Sequence, residues 1–109
     1  MPINLGRRIR RQIVLALTSE CGCDRTIRNA VTAARRAGLS RAEIDRAQAG
    51  SSFSARERAA VALACAVRSG DPARVNRAGQ SALAYGLNRR EIGQVERFAR
   101  QTLEGLRGG

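Results

Sequence analysis

Apolar residues recur every three or four positions through most of the chain, which is the spacing of an amphipathic helix. The first such segment spans about Gly6 to Ser19, where Ile9, Ile13, Ala16 and Leu17 fall on one stripe and arginines lie mostly around it. No segment shows a convincing alternation of apolar and polar residues, the pattern of a half-buried strand. The periodicity therefore predicts an all-α protein.

Helix start and stop signals divide the sequence into six helices. Small polar side chains can accept bonds from the free N–H groups of a first turn, and glycine can end a helix in the left-handed conformation. Asp24 is expected to cap the second helix and Asp71, followed by Pro72, the fifth. Three pairs predict capping boxes at helices three, four and six: Ser40 with Glu43, Ser54 with Glu57, and Asn88 with Glu91.

These signals predict a single domain over residues 1–109, with residues 1–5 and 107–109 frayed. The fourth helix, about 55–68, is nearly all apolar after its first turn, so we expect it to be central and buried on most sides. The predicted helices are 6–19, 24–37, 40–49, 55–68, 72–85 and one that begins after Asn88.

Two phrases repeat at a spacing of 48 residues: GLSRAEI from Gly38 and GLNRREI from Gly86. Each contains a helix stop, a leucine expected to be buried, a cap and the start of a new helix. One interpretation is a pair of related helical hairpins that flank the fourth helix. The other is that one local solution for ending and restarting a helix arose twice.

The net charge is +11, and all 20 basic residues are arginines. Such a charge attracts nucleic acid, acidic proteins or anionic surfaces, although the codon usage of a GC-rich genome also produces arginine without lysine. The densest basic run contains Arg7, Arg8, Arg10 and Arg11, which are the candidate anion-binding residues. The alternative is a solvated helix flank, with some arginines bridging to Glu20 or to a neighbouring subunit.

The three cysteines are Cys21, Cys23 and Cys65. Cys23 lies at or just before the cap of the second helix, where free backbone N–H groups and the charges of Arg25 and Arg28 favour its thiolate form. Cys21 is near enough to act as a resolving thiol, the one that would form a disulfide with oxidised Cys23. The alternative is that both cysteines only pack a tight turn. Cys65, in an apolar run, is expected to be a small buried hydrophobe.

The chain contains no histidine, so we expect no metal site, and no cofactor is indicated. No apolar run has the length of a membrane span, and the short segment IVLAL does not suffice for a signal peptide. We therefore expect a cytoplasmic protein that has no membrane partner.

The segments QIVLALTSECGC, AARRAGLSRAEI, FSARERAAVALACAV and YGLNRREI resemble the alkylhydroperoxidase D-like, carboxymuconolactone decarboxylase family over about Arg11 to Ile92. The resemblance implies an all-helical fold that associates into trimers or hexamers. In the redox members it also implies a thiol peroxidase reaction that uses two cysteines, a histidine and a glutamate.

This chain departs from that motif at three of its four positions. Cys23 matches the first cysteine, whereas Thr26 stands at the second cysteine position, Ala30 at the histidine position and Arg11 at the glutamate position. Thr26 cannot resolve a sulfenic acid and Ala30 cannot move a proton, so the resemblance implies a degenerate member with at most a non-standard thiol function of Cys21 and Cys23.

Two other functions remain open at this point. One is a non-catalytic oligomeric interaction protein whose arginine-rich surface binds nucleic acid or an acidic partner. The other is a small-molecule pocket near the second helix, lined by Thr26, Ala30 and Val61.

Overall fold

The structure is a computed structural model that describes residues 6–20 and 23–108. Within these residues the chain forms six α-helices and no strand, which confirms the predicted fold class. The helices are α1 (Arg7–Thr18), α2 (Asp24–Arg36), α3 (Arg41–Gln48), α4 (Ala55–Ser69), α5 (Pro72–Ala84) and α6 (Arg89–Gly108).

Side-chain caps begin several of these helices as the sequence predicts. Ser40 and Glu43 form a complete capping box at α3, and Asn88 and Glu91 exchange the same two bonds at α6, at 2.8 and 3.0 Å. At α4 the predicted box is only half formed. Ser54 accepts a bond from the Glu57 N–H at 3.4 Å, but the Glu57 carboxylate binds other groups.

The predicted cap at α2 was wrong by one residue. Cys23 occupies the N-cap position in an extended conformation, its side chain makes no cap hydrogen bond, and Asp24 is the first helical residue. α6 continues to Gly108, so residues 107 and 108, which were predicted to fray, are the last residues of this helix. Residues 1–5 and 109, also predicted to fray, lie outside the described residues.

The repeat of 48 residues extends through the whole fold. Three pairs of N-cap residues lie 48 positions apart: Gly6 and Ser54, Cys23 and Asp71, Ser40 and Asn88. The chain is therefore two three-helix halves, α1–α3 and α4–α6. The hairpins predicted to flank α4 are instead parts of these halves, and α4 is the counterpart of α1.

The glycine stops of α2 and α5 are also counterparts. Gly38 and Gly86 have φ angles of +92° and +99°, a conformation that costs little only for glycine. The next residue in each half, Leu39 or Leu87, donates its N–H back to Ala34 or Ala82 at 3.0 Å and is buried. This geometry closes the helix end and anchors the turn in the core.

The centre of the molecule is shared by α1 and α4. α4 packs against α1, α5 and α6, and its Val61 and Leu63 are fully buried, as the sequence predicts. Their counterparts Ile13 and Leu15 on α1 are equally buried, and α1 contacts α2, α3, α4 and α6. Burial of each such side chain contributes about 1.5–3 kcal/mol, so both helices are main parts of the core.

The halves differ at their third helices. α3 ends before Gly50, whose φ of +82° closes the helix. The counterpart of Gly50 is Phe98, and at this position α6 does not end. Phe98 and Leu103 of α6 pack against the main core cluster, the one that contains Val61 and Leu63 of α4, and α6 also contacts α1. Among the described residues, none of the six helices combines the length and the apolar composition that a membrane-spanning helix needs.

Candidate functional site

A basic cleft lies between the N-terminal half of α1 and the C-terminal half of α2. Its volume is about 480 Å³. The cleft is lined by Arg7 and Arg11 of α1, by Asn29, Thr32, Ala33 and Arg36 of α2, and by Ala37 after α2.

Helix geometry explains why these residues face each other. Arg7 and Arg11 are four positions apart on α1, so they lie on one face one turn apart. On α2 the spacing of Asn29, Thr32 and Arg36 places three hydrogen-bonding side chains along one stripe. Between them the small side chains of Ala33 and Ala37 leave the space that forms the cleft.

No carboxylate among the described residues neutralises the cleft. Within the described residues, 6–20 and 23–108, no ion pair involves Arg7, Arg11 or Arg36. None of the residues that line the cleft is acidic. Three guanidinium groups around one concave surface focus a positive potential that attracts anions. Arginine, asparagine and threonine supply N–H and O–H donors there.

The other two predicted anion-binding arginines are not part of the cleft. Arg10 is exposed on α1 and does not line it. Arg8 is already paired with carboxylates, because its guanidinium donates to the Glu43 carboxylate and its Nε lies 4.0 Å from Oε2 of Glu57. The expected bridge to Glu20 comes instead from Arg68 of α4, at 3.7 Å.

Arg8 belongs to a polar cluster between α1, α3 and α4. The buried Gln12 donates to Oε1 of Glu57 at 2.8 Å, and Ser52 lies 3.5 Å from the same oxygen. The Ser40 N–H and, next, the Arg8 guanidinium hold the pKa of Glu43 below its usual range. Both carboxylates therefore join helices, Glu43 through Arg8 of α1 and Glu57 through Gln12 of α1.

Cys23 is exposed at the first turn of α2, where Thr26 donates its hydroxyl to Sγ at 3.3 Å. This bond, together with the backbone N–H of Thr26 and then that of Arg25, holds the pKa of Cys23 below the usual value of a thiol. The charges of Arg25 and Arg28, which were expected to contribute, are not the main cause. The main cause is instead hydrogen bonding to the sulfur, against which the charge of Asp24 acts.

The other thiols differ from Cys23. Cys65 is half-buried against the main core cluster, and burial raises its pKa, as suits a small core residue. Cys21, the predicted resolving thiol, lies outside the described residues. Within the described ranges no group of three cysteine, aspartate or glutamate side chains could hold a metal ion.

The predicted small-molecule pocket of Thr26, Ala30 and Val61 was wrong. Ala30 is buried in the cluster formed by α1, α2 and α3, whereas Val61 belongs to the main cluster around α4. Thr26 is bonded to Cys23. Because Ala30 and Val61 are both buried within these clusters, they do not form the wall of an open pocket, and only Thr26 lies near a candidate site.

The α2 side of the basic cleft was not among the predicted site residues. Asn29, Thr32 and Arg36 repeat at intervals of three and four residues, a polar stripe that was visible in the sequence. Which other helix faces that stripe depends on the packing of α1 against α2, and no pattern in the sequence specifies it.

Comparison of the chain with protein-family models, with curated proteins and with solved structures found no match.

Proposed function

We propose that this protein binds a phosphate-bearing ligand in the basic cleft between α1 and α2. The observation that carries the proposal is the convergence of Arg7, Arg11 and Arg36 on one cavity, where none of them pairs with a carboxylate of the described residues. The proposed function is binding, because the residues that line the cleft supply hydrogen-bond donors and positive charge but no carboxylate or thiol.

The side chains of the cleft favour phosphate over a carboxylate ligand. The planar guanidinium group matches two phosphate oxygens at once, and three such groups supply more donors than one carboxylate can accept. Asn29 and Thr32 add neutral donors. No aromatic side chain lines the cleft, so it offers no surface on which bases could stack. A nucleic acid would therefore be bound through its backbone.

Binding can be measured by calorimetry with pyrophosphate, and by fluorescence anisotropy with a labelled DNA duplex at several salt concentrations. The variants are Arg11→Gln and Arg36→Gln. Matched controls are Arg10→Gln on the same helix as Arg11, and Arg35→Gln next to Arg36, because both controls are exposed and outside the cleft. Each of the four substitutions removes one positive charge from an arginine that forms no ion pair with another described residue.

We expect each cleft variant to weaken pyrophosphate binding about tenfold, the value of one charge-assisted hydrogen bond, and each control by less than about twofold. Equal losses in all four variants would mean that net charge alone attracts the anion, and would refute the cleft. If an acidic peptide binds and pyrophosphate does not, the partner is an acidic protein. Tight binding of the duplex with the cleft variants unaffected would place nucleic acid on another surface.

A second candidate function is thiol chemistry at Cys23, as a degenerate member of the alkylhydroperoxidase D-like, carboxymuconolactone decarboxylase family. The supporting observation is the exposed sulfur whose pKa the Thr26 hydroxyl lowers. In such a reaction the Cys23 thiolate would attack the terminal oxygen of a hydroperoxide, the O–O bond would break, and the departing alkoxide would take a proton from water and leave as the alcohol. The Cys23 sulfenic acid would then react with the Cys21 thiol, form the S–S bond and release water.

This candidate is tested by mixing the reduced protein with an organic hydroperoxide and following Cys23 by mass spectrometry. A Cys23 sulfenic acid, or a Cys21–Cys23 disulfide, at a rate well above that of glutathione supports it. A rate equal to that of glutathione refutes it. The Cys21→Ser variant distinguishes the two products, since it can form only the sulfenic acid.

The resemblance also implies two properties that belong to this proposal, a trimeric or hexameric assembly and a cytoplasmic location. Tyr85 is an exposed large apolar side chain, 52% accessible, and is a candidate contact between subunits. Native mass spectrometry tests the assembly, and a monomer at micromolar concentration would refute it.

A further inference from the structure

A second concave surface lies on the opposite half of the molecule, in a groove between α5 and α6. Its volume is about 640 Å³, within the range of small-molecule sites. Apolar side chains line it from three sides: Val67 at the end of α4, Val75 and Leu83 of α5, and Ile92 of α6. The groove shares no residue with the basic cleft.

Comparison of the two halves shows how the groove arises. Gly79 of α5 is the counterpart of Val31 of α2, and Val31 packs against the core cluster of the first half. Gly93 of α6 is the counterpart of Asp45 of α3. The second half therefore lacks two side chains at the place where its last two helices face each other, and the groove lies there.

Packing does not require glycine at either position. A Cβ atom at Gly79 would meet only Cγ2 of Ile92, at the ordinary contact distance of 3.9 Å, and one at Gly93 would meet nothing within 4 Å. Neither residue has a positive φ angle. Glycine inside a helix is less favourable than alanine, so these two residues make the folded protein less stable than alanine would. Their only structural effect is to leave the groove open.

The charges around the groove are unequal at its two ends. Arg100 is 3.5 Å from Glu96, so that end is close to neutral. Arg89 forms no ion pair within the described part of the chain and stands at the start of α6, where the helix dipole adds to its positive charge. The two arginines are eleven residues apart on α6, which separates them by about 16 Å.

We propose that the α5–α6 groove binds a small amphipathic carboxylic acid. The apolar body lies along Val75, Leu83 and Ile92, in the space above Gly79 and Gly93, and the carboxylate accepts bonds from Arg89. The proposal goes beyond phosphate binding at the cleft, since it concerns a different surface and a different class of ligand.

Octanoate is a suitable probe, titrated into the full chain labelled with ¹⁵N. The backbone amides of Gly79 and Gly93 report on the groove, and the amide of Gly105, on α6 but outside the groove, is the internal reference. Acetate carries the same charge without the apolar body, and octyltrimethylammonium carries the same body with the opposite charge. We expect saturable shifts at Gly79 and Gly93 with octanoate alone.

Four variants test the contacts. Gly79→Val restores the side chain that the first half carries and is expected to weaken octanoate binding at least tenfold, whereas Gly105→Val leaves it unchanged. Arg89→Gln is expected to weaken binding about threefold, as for an exposed ion pair, and Arg90→Gln, an exposed neighbour outside the groove, to leave it unchanged. Thermal unfolding of each variant confirms that it is folded.

Three results would overturn the proposal. The first is the absence of saturable shifts with octanoate. The second is octanoate shifts that map to Arg7, Arg11 and Arg36, which would place the carboxylate in the basic cleft and leave the phosphate proposal intact. The third is a concentration-dependent shift of Gly79 and Gly93 without any ligand, which would show that a second copy of the chain occupies the groove.

Discussion

Arg8 donates from α1 to the Glu43 carboxylate that completes the capping box of α3, 35 positions along the chain. In the second half Arg56 donates to Glu91 in the same way, across the same 35 positions. Each carboxylate therefore both caps its helix and ties it to the first helix of its half. The equivalence of these two long-range bonds supports an internal repeat of the whole three-helix unit.

Removing the charge of Glu43 is expected to destabilise the protein modestly. Glu43→Gln keeps an oxygen that can complete the capping box but loses the ion pair with Arg8. Because the two side chains are 42% and 28% exposed, we expect a loss of about 0.5–1 kcal/mol in unfolding free energy, measured by urea denaturation. The control is Glu104→Gln, which removes an exposed glutamate that has no ion pair within residues 6–20 and 23–108. An unchanged midpoint in Glu43→Gln would show that the bond contributes nothing.

The same carboxylate predicts how stability depends on pH. The Ser40 N–H and Arg8 lower the pKa of Glu43 in the folded protein, so the unfolded chain binds its proton more readily. The contribution is therefore complete above the ordinary glutamate pKa of about 4.3 and is lost as the pH falls through the lower folded value. The difference in stability between the wild type and Glu43→Gln should shrink as the pH falls through this range. A difference that grows on acidification would contradict the assignment.

The hydroxyl of Thr26 is expected to control the reactivity of Cys23. In a Cys21→Ser background, Thr26→Ala removes the bond to Sγ, so the pKa of Cys23 should rise and alkylation by iodoacetamide at neutral pH should slow. Thr26→Ser keeps the hydroxyl and should retain most of the rate. Peptide mass spectrometry separates Cys23 from Cys65, whose pKa burial raises and which should react last. Equal rates for the alanine and serine variants would exclude the hydroxyl as the cause.

Two glycines of the second half are expected to respond to alanine in opposite directions. Gly93→Ala should raise the unfolding free energy by about 0.5–1 kcal/mol, because the helix gains propensity and the new Cβ meets nothing. Gly86→Ala should lower it by at least about 1 kcal/mol, because a φ of +99° is strained for any residue with a Cβ. Chemical denaturation measures both. A loss of stability in Gly93→Ala would mean that the α5–α6 groove is tighter than its geometry shows.

Arg68 is expected to stabilise the contact between α1 and α4. Its guanidinium donates a hydrogen bond to the carbonyl oxygen of Ala16 at 2.9 Å and lies 3.7 Å from the Glu20 carboxylate. Arg68 of α4 therefore supplies a donor to a backbone carbonyl in the last turn of α1. Arg68→Gln should lower the unfolding free energy by about 1–2 kcal/mol, because the carbonyl loses a charged donor. Glu20→Gln should cost less than about 0.5 kcal/mol, since Glu20 is 74% exposed. Equal effects would assign the contribution to the surface pair instead.

Local chemistry determined the order and the ends of the six helices. Helices begin at capping residues or at proline, which affect only the first turn: Ser40, Pro72 and Asn88. Helices end where a glycine takes a positive φ angle, as at Gly38 and Gly86. Each of these effects depends on a few neighbouring residues, so the sequence alone predicts it. The half-formed capping box at Glu57 has a tertiary cause. Gln12, 45 positions away, takes the Glu57 carboxylate that local sequence would assign to the cap.

The tertiary structure alone decided which charges remain available to a ligand. In the sequence Arg7, Arg8, Arg10 and Arg11 are equivalent, but the rotation of α1 turns Arg8 toward Glu43 and places Arg7 and Arg11 opposite Arg36. The α5–α6 groove also depends on tertiary structure. Gly79 and Gly93 leave open space only because the two helices that carry them face each other. Helix identity follows from neighbours in sequence, whereas a binding surface depends on packing between segments that sequence periodicity does not pair.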